Sequence, residues 1–117
     1  MNKYEEVLQE LIKASGIEGA AIVSLDGLPI ASVLPANAEE DKVAAMSAAI
    51  LSLGERVVEE LGKGTMEQIT IKGDKGYVVI TEIGQDAVLT TLAGQDSKLG
   101  LIYMEIKKAQ QKLKELI

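Results

Sequence analysis

Between Glu67 and Leu92 the chain reads as three strand-like runs, Glu67 to Lys72, Tyr77 to Ile83 and Ala87 to Leu92, parted only by Gly73-Asp74-Lys75-Gly76 and Gly84-Gln85-Asp86. Connections this short cannot carry the crossover that a parallel pair needs, so the three runs must be antiparallel neighbours. An earlier pair, Ala20 to Leu25 and Pro29 to Val33, is joined across Asp26-Gly27, a dipeptide suited to the positive φ of a tight turn. Pro29 has no N–H to give to a ladder, which points to an outer or initial strand position.

Three helical stretches bracket these strands. Tyr4, Val7, Leu8, Leu11 and Ile12 recur with helical spacing, Asn2 and Glu5 suit a capping box, and Gly16 suits a left-handed C-terminal position. Asn37, followed by Glu39, Glu40 and Asp41, predicts a cap and an acidic first turn for a long helix that runs to Leu61, where Gly62 and Gly64 stop it. After Asp96 or Ser97 as a further cap, Leu99, Ile102, Tyr103, Ile106, Ala109, Leu113 and Leu116 trace the last stripe. The predicted order is α-β-β-α-β-β-β-α, an α/β (α+β) sandwich in which helices flank one five-stranded antiparallel sheet. With 117 residues, 47% of them apolar, and no repeat, linker or low-complexity tract, one domain spanning 1–117 is expected.

The long helix carries more apolar surface than one sheet needs. At about 100° per residue, Val43, Met46, Ile50, Leu53, Val57 and Leu61 form one stripe, and Ala44, Ala48, Leu51 and Val58 widen the arc to roughly 200°. Ala44, Ala45, Ser47, Ala48 and Ala49 are small enough to admit a second backbone, and a two-fold contact with an identical chain is the commonest way to cover such a surface. A homodimer is expected, with burial under the C-terminal helix of the same chain as the alternative. The residues assigned to the interface are Ala44, Ser47, Ala48, Leu51, Glu55 and Val58 on the helix, with Glu67, Ile69 and Ile71 on the adjacent strand.

Chemistry is sparse. No histidine or cysteine occurs, which removes the commonest general base, thiolate ligands and disulfides. Walker A, GxGxxG, HExxH, EF-hand and GxSxG patterns are absent. Gly62-Lys63-Gly64-Thr65 looks like the end of a phosphate loop, but it follows a helix, whose terminal carbonyls repel phosphate. Gly94-Gln95-Asp96-Ser97 precedes a helix, yet Asp96 competes with any anion as its cap. The pairs Glu5-Glu6, Glu39-Glu40 and Glu59-Glu60 fall at solvated helix positions. Arg56, the only arginine, lies among Glu55, Glu59 and Glu60, where intrahelical pairing explains it more simply than a finger reaching a partner's nucleotide. Neither catalysis nor a cofactor nor a metal is expected.

Eighteen acidic against twelve basic residues give a net charge of −6, which repels nucleic acid and anionic membranes. The local exception is Lys107, Lys108, Lys112 and Lys114, read either as complements to a helix dipole or as a basic patch for a partner. The only aromatics are Tyr4, Tyr77 and Tyr103, too few for a base-stacking platform. Apolar runs fall short of the roughly 18–20 residues that cross a bilayer, and Met1-Asn2-Lys3 leads straight into the first helical pattern, so a cytoplasmic location is expected.

Taken in order, GAAIVSLDGLPIAS, AAMSAAILSLGERVVEELGKG, EQITIKGDKGYVVITEIGQDAVLTTLA and KLGLIYMEIKKAQQKLKEL strongly resemble the Roadblock/LC7 family over nearly the whole chain. The resemblance implies the profilin-like/Roadblock fold, with the long helix on one face of the sheet and the terminal helices on the other. It also implies dimers whose sheets join edge to edge beside paired long helices, serving as regulators or scaffolds of small Ras-like GTPases, or as passive adaptor chains in motors and signalling complexes. A bacterial branch of the family activates its GTPase by repositioning the GTPase's own switch residues without donating an arginine. Any such regulator acts only through its differential affinity for the partner's two states. The expected partner surface is the face of the long helix not used for dimerisation, together with Glu67 to Lys72. An enzyme or small-ligand sensor of the profilin-like group would need a polar-lined cavity, for which the sequence offers no sign.

Overall fold

In the computed structural model, which describes residues 2–117, the side chain of Asn2 accepts the Glu5 N–H at 2.8 Å and donates to Glu5 Oε1 at 3.1 Å, closing the start of α1 (Lys3–Ser15). Gly16 ends the helix at φ 71°, its N–H on the Ile12 carbonyl at 2.9 Å. The hairpin of β1 (Gly19–Ser24) and β2 (Pro29–Val33) follows, turning at Gly27 with φ 86°. The ladder between these strands shifts register at Ile22/Val23, where Val23 faces Pro29.

The long helix, α2, spans Glu40–Glu60. Asn37 does not cap it. Pro35 to Ala38 closes a turn, with the Ala38 N–H on the Pro35 carbonyl at 3.0 Å, and the helix begins only after Glu39, without a side-chain cap. The Ser32 hydroxyl instead holds the first turn by donating to Glu40. At the other end Gly62 adopts φ 70°, its N–H reaches the Glu59 carbonyl at 3.1 Å, and the Lys63 N–H reaches that of Val58 at 2.8 Å, a Schellman closure that satisfies two terminal acceptors.

Three strands then run back and forth as β3 (Gln68–Gly73), β4 (Gly76–Ile83) and β5 (Ala87–Gly94). Gly76 sits at φ 155°, and a Cβ there would lie 2.3 Å from the Ala93 carbonyl oxygen, so the β3–β4 turn has room for glycine alone. The last helix, α3 (Leu99–Leu116), also lacks the predicted cap, because the Ser97 N–H bonds to the Gly94 carbonyl at 3.1 Å and spends Asp96 and Ser97 in a turn.

The five strands form one antiparallel sheet in the order β2-β1-β5-β4-β3. Pro29 therefore opens an edge strand, as its missing N–H demands. On one face α1 and α3 enclose a core built around Leu8, Ile22, Leu89, Ile102, Ile106 and Leu113. On the other face α2 covers a smaller one around Val23, Val43, Leu51, Ile80 and Val88. Among the described residues no helix is long and apolar enough to cross a membrane.

Candidate functional site

Five strands at about 4.8 Å spacing make a sheet some 20 Å wide, whereas a helix with its side chains is about 10–12 Å across. Two helices side by side cover such a face, and one leaves about half of it bare. α2 instead crosses the sheet from the β1–β2 turn, near Ala48, to β3, under Gly54, and leaves open the part toward Ile71, Val78 and Leu92.

The position of α2 is set by its small residues. Val43, Ala44, Ser47 and Leu51 are buried, with Ile50, Gly54 and Val58 half-buried. Within this contact the Thr90 hydroxyl donates to Ser47 Oγ at 2.7 Å, a buried link from β5 to the helix. A Cβ at Gly54 would fall 2.7 Å from Ile69 Cδ1 and 3.0 Å from Met66 Sδ, so the α2 backbone rides directly over β3 there. On the flank that also meets the β1–β2 turn, Glu55 and Glu82 of β4 form a carboxyl pair. Burial first, then a hydrogen bond and charge repulsion from Glu55, pushes the Glu82 carboxyl up to about 7. The Glu82 carboxyl is thereby held protonated to higher pH than an ordinary glutamate.

The opposite flank of α2 is open. Met46 (63% exposed), Leu53 (60%), Val57 (47%) and Leu61 (70%) project into solvent, and Ile71 of β3 stands 39% exposed beside them. With Ala49, Ile50 and Val78, the upper members of this row line a groove of about 520 Å³ whose walls are almost wholly apolar. A shallower extension of about 320 Å³ passes Leu53, Val57 and Ile69. Next to the groove β3 pairs only with β4, which leaves one side of its backbone without a ladder partner among the described residues.

The residues assigned to the interface from the sequence fall in several different places. Ala44, Ser47 and Leu51 are consumed by the chain's own core, and Val58 and Ile69 pack partly against it. Ala48 lies half-buried against the β1–β2 turn, where it approaches the Gly27 position. Glu55 belongs to the seam with Glu82. Glu67 and Ile71 stand exposed, and the outward apolar row of the helix is Met46, Leu53, Val57 and Leu61. The two rows have nearly equal helical spacing, so periodicity alone does not rank them. The discriminating signal is size, since a helix lying close on a sheet turns Ala44, Ser47 and Gly54 inward and leaves the bulky row outside.

Arg56 pairs with Glu60 at 3.3 Å on the exposed surface, in agreement with the intrahelical reading. Among the described residues no group of three or more acidic side chains is placed to hold a metal ion.

Residues 3–93 match the family model described as the Roadblock/LC7 domain. Two Methanocaldococcus jannaschii proteins, "Uncharacterized protein MJ1340" and "Uncharacterized protein MJ0310", are each 38% identical to this chain over 112 residues, covering 96% of it and 97% of their own length. Among solved structures, Myxococcus xanthus MglB superposes with a TM-score of 0.93 at 22% identity, over 99% of this chain and 95% of that one. A Roadblock/LC7 domain from Streptomyces avermitilis reaches 0.88 at 19% identity, over 95% and 94%. At such identities the structural likeness speaks for the shared fold.

Proposed function

This chain belongs to the Roadblock/LC7 domain family, and from that premise we propose that it is a single-domain, non-catalytic homodimeric regulator or scaffold of a small Ras-like GTPase. The observation that carries the dimer is the open flank of α2. The uncovered part of the sheet carries an apolar groove, and the copy of α2 on a second chain has the matching row of Met46, Leu53 and Val57. A two-fold axis beside α2 would lay the two helices together and bring the two free β3 edges into register, so that Ile69 and Ile71 extend the contact.

The GTPase enters through family membership. A dimer built this way offers a broad, rigid, acidic platform without a catalytic side chain, which suits a partner whose own switch segments do the chemistry. Such a platform acts by favouring one nucleotide state. The deciding experiment has two arms. Light scattering at micromolar concentration should give twice the chain mass, and a value equal to one chain overturns the dimer. Affinity capture from native cytosol, run with GDP and with a non-hydrolysable GTP analogue, should retain a small GTPase preferentially in one state. Equal retention in both would favour a passive adaptor instead.

A further inference from the structure

On the face of the sheet away from α2's open flank, the C-terminal half of α3 and the β3–β4 edge enclose a cleft of about 680 Å³. Thr81 of β4 lines it. This residue is 3% exposed, and its Oγ1 is buried without a hydrogen-bond partner among the described residues. Neighbouring polar groups are better served. The Tyr103 hydroxyl bonds with Thr70 Oγ1 at 2.8 Å, and Gln110 Nε2 donates to the Glu82 carbonyl at 2.7 Å, which leaves Gln110 Oε1 available as an acceptor. A buried hydroxyl gives up its bonds to water, and a fold that leaves it unpaired carries a cost with no structural return.

The lysine cluster near the C-terminus divides around this cleft. Lys108 pairs with Glu105, and Lys112 with Glu10 of α1. Lys107 and Lys114 line the cleft instead and form no salt bridge among the described residues. They are seven residues apart on one side of α3, roughly 10.5 Å along its axis, and their long flexible stems let both ammonium groups converge on one bound molecule. Glu67 on the opposite rim subtracts one charge, while the Glu82 carboxyl is engaged with Glu55. In a chain of net charge −6, this concavity draws an anion where most of the surface repels one.

We propose that the cleft binds a small organic polyacid, with carboxylates on Lys107 and Lys114 and a hydrogen-bonding group reaching Thr81. The Thr81 hydroxyl lies behind the cleft wall with almost no surface open to it, so only a small group that enters the cleft and displaces that wall pairs with it, which favours a small molecule over the acidic surface of a protein. The volume also lies within the roughly 300–1,000 Å³ usual for small-ligand sites. The site shares Met66 and Gln68 with the extension of the α2 groove but opens on the other face of the sheet, and it stands whether or not the GTPase reading does.

The test is an amide and methyl NMR titration of the full chain with citrate and with succinate at constant ionic strength. At least one acid should produce saturable shifts centred on Thr81, Lys107 and Gln110. Lys107→Met with Lys114→Met keeps the stems, removes the charges and should weaken binding about tenfold or more. Thr81→Val should weaken it about threefold or more, and without ligand should leave the thermal midpoint unchanged or higher. If that variant fails to fold, the exposed lysine pair decides alone. Shifts that stay linear in concentration, shifts spread evenly over all lysines, or lysine variants that bind like the parent would overturn the proposal. So would tighter binding of a hexaglutamate peptide than of either small acid.

Discussion

On one face of the sheet α1 and α3 lie side by side and bury sixteen residues in a common core, among them Leu8, Ile22, Leu89 and Leu113. On the other, α2 lies alone over a core of eight and leaves Met46, Leu53 and Val57 in solvent. Both faces draw on the same pool of aliphatic residues. They differ in how many helices lie on them, and so in where their stability comes from. The closed face is complete within one chain. The open face has a surplus whose burial requires something outside it.

The sharpest test of this contrast is to remove a large side chain from each face. Leu8→Ala, at a fully buried site between α1 and α3, should cost about 2–5 kcal/mol in chemical denaturation and leave the association state of the surviving folded protein unchanged. Leu53→Glu should do the reverse. Helix content by circular dichroism should be retained, while the self-association constant weakens on the order of 100-fold in sedimentation equilibrium. If Leu53→Glu unfolds the chain, or leaves the dimer intact, the division of labour between the faces is wrong.

A smaller effect probes how α2 is held. Ser47→Ala strands the Thr90 hydroxyl in the core and should cost about 1–3 kcal/mol, most of it recovered by adding Thr90→Val. A full loss in the double variant would mean that shape, not the hydroxyl link, sets the helix position. The weakest effect concerns the Glu55–Glu82 seam. Glu82 loses its proton near 4.5 when unfolded and near about 7 when folded, so the folded state binds more protons between those values. Stability should therefore fall as pH rises from about 4.5 through about 7 and then level off. Glu82→Gln should flatten that slope in thermal melts. Because Glu55 is exposed and Glu82 only part-buried, solvent screens the pair and a difference of only about 1–2 °C is expected.

Local rules reached most of the architecture because most of its decisions are local. The Asn2–Glu5 box, Gly16, Gly62 and the Asp26-Gly27 turn act within a few residues of themselves, and strand boundaries fell within two residues of those observed. The two missed caps share a cause. Asn37 and the Asp96-Ser97 pair are good cap residues, but each lies in a four-residue turn closed by a backbone bond, which consumes the residue before the helix begins. The side of α2 that faces inward is a different matter. It depends on Thr90 meeting Ser47 and on Ile69 and Met66 meeting Gly54, contacts between segments far apart in sequence. Thr81 was invisible for a related reason, since a threonine within a strand signals nothing until its neighbours fail to pair with it.

The two borders of the sheet are also unequal. At the β2 border Pro29 withholds a donor and the register slip at Ile22/Val23 twists the ribbon, while β3 at the other border keeps a regular ladder along its length. Strand addition is thus hindered at β2 and less so at β3. If two copies pair through β3, each covers the border better suited to adding a further strand, so pairing of that kind favours a closed two-chain assembly over a filament.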